Sequence, residues 1–127
     1  MVRTDLATWQ RLNVLAFLVS GLGTAYPELV GEPYRDASGA GYLPMFRQPV
    51  LVFGADAEGL RRVRERAAAG DVPVAVYVEE MFETGNDRDN RAAVARHRSE
   101  ALPLVGIALH AERRAVDRVT AGLRLHP

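Results

Sequence analysis

Apolar and polar positions fall along this chain in two kinds of block. Val50-Leu51-Val52-Phe53, Val74 to Val78 and Leu104 to Leu109 are short unbroken apolar runs set off by proline, glycine or charge, as strands buried on both faces are. Between the first two, Leu60, Val63 and Ala67 recur at helical spacing, with Arg61, Arg62, Arg64 and Arg66 largely on the other side. Asp56 is placed to cap that helix, which runs to about Ala69 with Gly70 as its C′ residue. After a connecting turn over Glu79 to Gly85, Asn86 or Asp87 caps a polar helix to about Arg98. A short last helix from about Glu112 puts Val116, Val119 and Leu123 on one face, ahead of the tail Arg124 to Pro127.

The front of the chain is less regular. Met1-Val2-Arg3 is only the stub of a strand, and Thr4, Asp5 or Thr8 can cap a helix to about Gly21. Leu12 and the run Val14 to Val19 make that helix apolar nearly all round, so it needs cover on most sides, from a sheet or from a second subunit. Residues 27–49 hold four prolines and no continuous element. A short hairpin fits there, with Tyr34-Arg35 near Tyr42-Leu43 around the turn Asp36 to Gly39. Long loops of this kind serve as lids, binding loops or interface arms.

The whole reads as one domain: strand stub and buried helix over 1–26, long loop or hairpin over 27–49, strand–helix repeats over 50–127. Alternating strands and helices predict a three-layer α/β/α architecture, with a mostly parallel, mixed sheet of about four strands and right-handed crossovers.

Composition narrows the chemistry by exclusion. With 127 residues, two domains would each lack a sufficient core. Without cysteine there is no disulfide frame, thiolate metal site or thiol nucleophile. All sixteen basic residues are arginine, so no lysine can form a Schiff base. They are balanced by sixteen acidic residues, and a zero formal charge argues against nucleic acid as a partner. Ser20, Ser38 and Ser99 form no Gly-x-Ser-x-Gly elbow, and His97, His110 and His126 have no metal-ligand spacing. No phosphate loop or dinucleotide fingerprint is present, so neither a metal nor a cofactor is expected. The longest apolar run, Val14 to Val19, is too short to span a bilayer, which predicts a cytoplasmic protein with no membrane partner.

Ligands of parallel α/β sheets bind beyond the carboxyl ends of the strands. Those ends are Arg3-Thr4-Asp5, Gly54-Ala55-Asp56, Glu79-Glu80 and His110. Gln10 and Asn13, three apart on one helix face, would stand beside Thr4 and Asp5. Arg47, next to Phe46, has the fork geometry to hold a carboxylate or phosphate, or else it anchors the long loop. The expected site therefore takes a small anionic molecule on Thr4, Asp5 and Arg47, with Gln10, Asn13, Glu79 and Thr84 as candidate catalytic groups. Structural readings stay open beside it: Asp5 as a helix cap, Asn13 satisfying a backbone group, and Arg88, Arg91, Arg96 and Arg98 as a solvated helix face.

Two stretches carry a resemblance. Val105-Gly106-Ile107-Ala108-Leu109 followed by Ala115 to Leu125 resembles the close of the type II peptidyl-tRNA hydrolases: an apolar strand with an early glycine, a helix with Asp-x-Val-Thr, then a Leu-basic-Leu tail. The same ending, with Asp5-Leu6, Trp9-Gln10, Leu12-Asn13, Gly31-Glu32-Pro33-Tyr34 and Met45 to Val50, resembles the domain-of-unknown-function 2000 family of bacterial proteins. The resemblance implies the fold of those hydrolases and a homodimer. It brings no activity with it, because the hydrolase's first-helix lysines and Ala-Ala-Gln run have no match at Gln10 to Phe17. Three functions follow as expectations: a domain that binds or hydrolyses a small ligand in a strand-end cleft, a non-enzymatic dimeric interaction module, and, disfavoured, a peptidyl- or aminoacyl-tRNA ester hydrolase.

Overall fold

The computed structural model describes residues 1–127. Its elements follow in the order β1 (Val2–Arg3), α1 (Thr8–Ala25), β2 (Tyr34–Arg35), β3 (Gly41–Tyr42), β4 (Phe53–Ala55), α2 (Ala57–Ala69), β5 (Val74–Val78), α3 (Asp87–Ala95), β6 (Leu104–Leu109), α4 (Arg113–Val119) and β7 (Arg124–Leu125). Five strands form one mixed sheet in the order β5-β6-β1-β4-β7, and β2 and β3 make a separate hairpin.

The middle layer departs from the expected sheet. Only β1 and β4 pair in parallel; β6 is antiparallel to β1 and to β5, and β7 is antiparallel to β4. The apolar runs misled because burial on both faces, which helices on either side impose here, gives the same pattern whatever the strand direction. The tail supplies the fifth strand: Leu125 pairs with Phe53 and Arg124 with Gly54.

β4 begins at Phe53, three residues after the start of its apolar run. Its partners decide this, since Val2 pairs with Gly54 and Arg3 with Ala55. Val50 and Leu51 lie outside the ladder and are exposed.

Two cores sit on the two faces. One gathers Leu60, Val63, Ala67, Val78, Leu104, Ile107 and Val119 under α2 and α4. The other gathers Val2, Leu6, Val14, Leu18, Tyr77 and Val105 under α1. A bulge in β6 serves the second: Tyr77 pairs with Gly106 and Val78 with Leu104, leaving Val105 as the extra residue. Such a bulge puts two successive side-chain positions on one face, and Val105 and Gly106 both meet α1.

α1 runs to Ala25, beyond the expected end at Gly21, because its glycines are packing positions. A Cβ on Gly21 would stand 3.4 Å from Ala75 and one on Gly23 3.4 Å from the Phe46 ring. Its start also differs from expectation. The cap is Ala7, whose N–H donates to Gln10 Oε1 at 3.0 Å. Asp5 is not available, since Arg3 Nε donates to it at 2.7 Å. α2 starts as read, with Asp56 Oδ1 accepting from Gly59 N–H, but Gly70 has φ −101° and the left-handed residue is Asp71 (φ 52°). α3 is capped by Asn86, which accepts from Asp89 N–H, and ends at Ala95, short of the expected Arg98.

The hairpin takes the expected place, with Tyr34 opposite Tyr42 and Arg35 opposite Gly41. Asp36 organises its turn, accepting from Ser38 N–H, Ala40 N–H and the Tyr42 hydroxyl. No helix is long and apolar enough to cross a membrane.

Candidate ligand-binding cleft

Where β5 ends, the chain turns through a 3₁₀ segment, Glu79–Phe82, into α3. Between that turn, α3 and the first half of α1 lies a cleft of about 920 Å³. Trp9, Phe17, Tyr77 and Phe82 make its aromatic wall. Phe17 and Tyr77 meet edge to face at 5.7 Å, Tyr77 and Phe82 tilt together at 5.2 Å, and Trp9 meets Phe82 at 5.9 Å. Trp9 and Phe17 remain about half exposed, so the wall is open to whatever enters.

A line of neutral polar groups crosses this wall. Asn13 Nδ2 donates to Tyr77 Oη at 3.3 Å, and the Tyr77 hydroxyl donates to the Met81 carbonyl at 3.4 Å. Thr84 Oγ1 lies 2.9 Å from the same carbonyl and also bonds the Asn90 carboxamide. Asn90 is placed one turn beyond the Asn86 cap, so the cap that starts α3 also aims its first turn at the cleft. Burial raises the Tyr77 phenol, only partly offset by the bond from Asn13, so it stays protonated and donating at neutral pH. At the rim Arg91 pairs with Asp87, four residues back along α3.

The other expected site residues go elsewhere. Arg3 bonds both Asp5 and Glu79, with Nη1 3.2 Å from Glu79 Oε2. This bond to Arg3 holds the Asp5 carboxyl below the usual carboxylate range. Thr4 Oγ1 is 3.5 Å from the Ala55 carbonyl, and Gln10 is spent on the α1 cap. Thr4, Asp5, Gln10 and Glu79 do not line the cleft.

Arg47 lines a second hollow, also about 920 Å³, between the later half of α1, the segment 46–51 and α4. His110 lines it too. Because β6 runs against β1, β4 and β5, His110 is at the sheet end opposite their carboxyl ends, and it does not join Asp5 or Glu79. Of seven expected residues, Asn13 and Thr84 alone meet in one cleft.

Tyr77, Asn90, Trp9 and Phe82 were not among the site residues expected from sequence. Tyr77 carried a usable signal: a phenol within a buried apolar strand must find a hydrogen-bond partner, and the partner marks a polar spot. Asn90 carried none, since it reads as one more polar residue on a polar helix. Outside the cleft, Glu80 bonds His97, tying the 3₁₀ turn to the segment after α3. No three acidic or histidine side chains converge as a metal ion requires.

A solved structure of a protein of unknown function from Agrobacterium tumefaciens strain C58 is 44% identical and superposes with a TM-score of 0.96, over 99% of this chain and 93% of that one. No curated protein matches. The family model for proteins of unknown function DUF2000 matches residues 1–127, and the chain therefore belongs to that family.

Proposed function

We propose that this protein is a small-molecule-binding domain, and that its ligand lies in the cleft between α1, the 3₁₀ turn and α3. The observation that carries this reading is the polar line Asn13–Tyr77–Met81 carbonyl–Thr84–Asn90 set into an aromatic wall beside about 920 Å³ of open space. Ligand sites combine apolar lining with a few placed polar groups in this way. The polar groups are amides, a hydroxyl and a protonated phenol, none of which ionises near neutral pH. Binding is thus better supported than acid–base hydrolysis.

The fold of the type II peptidyl-tRNA hydrolases is the architecture that the ending Val105 to Leu125 suggests. Transfer of that activity finds no support in the cleft, which holds no lysine and no unpaired arginine. Self-association is a second reading. Trp9, Leu12 and Phe17 on α1 are all at least 48% exposed, more apolar surface than one helix normally leaves in water.

A fragment screen by two-dimensional NMR tests the first reading. Bound fragments should shift the single indole N–H, that of Trp9, together with the side-chain amides of Asn13 and Asn90. Hits that map to the Arg47 hollow, or none anywhere, would remove it.

A further inference from the structure

The orientation of the cleft's amides points to a chemical class of ligand, and this inference rests on the cleft being the binding site. The Tyr77 hydroxyl has one hydrogen, and the Met81 carbonyl takes it. Toward Asn13 the phenol oxygen can only accept, so Asn13 must present Nδ2 to it. That seats the Asn13 carboxamide with Oδ1 and its second N–H free of protein partners.

Asn90 is held from one side by Thr84. Whichever end of its carboxamide faces that hydroxyl, at least one N–H is left over. The cleft therefore offers an acceptor and donors together, all uncharged, with Arg91 already matched by Asp87. Flanking them are the flat faces and edges of Trp9, Phe17 and Phe82.

A complementary ligand is flat, neutral, and carries a C=O and an N–H side by side. A charged head would leave water for neutral partners, at a cost those partners do not return. A purely apolar ring would leave the two carboxamides dry and unbonded, and each group stranded in this way weakens binding. We infer that the cleft between α1 and α3 binds a planar cyclic amide, a lactam ring of the kind found in uracil and hypoxanthine. The ring stacks on the aromatic wall while its cis-amide edge pairs with Asn13 and Asn90.

The test titrates the full chain with uracil, hypoxanthine, 1,3-dimethyluracil and toluene, read by Trp9 fluorescence and by the amide resonances of Asn13 and Asn90. Dimethyluracil keeps the flat ring and both carbonyls but lacks the N–H. At least one of the two lactams should bind, with the dimethyl compound roughly tenfold weaker than uracil, as loss of one hydrogen bond implies. Asn90→Asp should weaken the lactam by a similar factor with an unchanged circular dichroism spectrum, since an acid near the start of α3 suits the helix. If uracil and dimethyluracil bind equally, or only toluene enters the cleft, the lactam assignment is overturned and the cleft remains a binding site. If neither lactams nor toluene perturb Trp9, the lactam assignment and the binding-site reading fall together.

Discussion

Gly106 and Val14 are packed so closely that β6 and α1 leave no room for a side chain between them. A Cβ on Gly106 would overlap Val14 Cγ1 outright and stand 2.9 Å from Leu18 Cδ1. Val14 is fully buried and Leu18 nearly so, and Val14, branched at Cβ, has little rotamer freedom to give way. Gly106→Ala should therefore destabilise the protein by about 1–3 kcal/mol, the usual cost of overpacking. Urea denaturation would show it as a lower midpoint at unchanged slope, and a variant as stable as the wild type would mean that α1 is not seated on β6 as described.

Leu60 tests the opposite face. It is fully buried between α2 and the sheet, within the core that includes Ile107 and Val119. Leu60→Ala should cost about 2–5 kcal/mol by the lost transfer energy and the cavity left behind. Its effect should add to that of Gly106→Ala, because the two sites face different cores across the sheet.

Removal of a single oxygen probes the cleft. Tyr77→Phe deprives Asn13 Nδ2 and the Met81 carbonyl of their shared partner. The expected loss is about 1 kcal/mol of stability, with a coupling of at least about 0.5 kcal/mol to Asn13→Ala in a double-mutant cycle. Strict additivity would show that Asn13 and Tyr77 do not act together.

Glu79 is expected to matter little. Its pairing with Arg3 is at the surface, with the Glu79 side chain 56% exposed, and exposed pairs contribute about 0–1 kcal/mol. Glu79→Gln should shift the denaturation midpoint only within that range and leave ligand binding at the cleft intact. A large loss of binding would instead restore Glu79 to the functional site.

Acid should lower the protein's stability through its carboxylates. Asp36 is held below its ordinary value by the Tyr42 hydroxyl and by turn N–H groups, and Glu80 by its own backbone N–H and then by His97. A carboxyl lowered in the folded state binds its proton more readily when unfolded. Its stabilisation is thus complete above the ordinary carboxylate range and fades as pH falls through the folded value. The midpoint difference between the wild type and Glu80→Gln should be level down to that range and then shrink as pH falls through it. A difference that grew on acidification would contradict the sign.

The local elements were legible in the order of residues. β5 and β6 coincide with their apolar runs, Asp56 and Asn86 cap the helices they precede, and the hairpin turns at Asp36 to Gly39, because each of these depends on neighbours in sequence. Strand direction, the start of β4 and the recruitment of Arg124-Leu125 as β7 depend on partners far along the chain, and an apolar run does not record which partner it will find.

The candidate site divides in the same way. Asn13 was conspicuous as an amide inside an apolar helix, where burial without a partner is costly. Its partner, Tyr77, stands 64 residues away and reaches it only because the β6 bulge and Gly106 let α1 settle against the sheet. Sequence alone determined the helices, two of the strands and the lack of thiol and lysine side chains. Tertiary packing alone decided which polar groups share a cleft, since hydrogen bonds across it are set by how closely helix and sheet can approach.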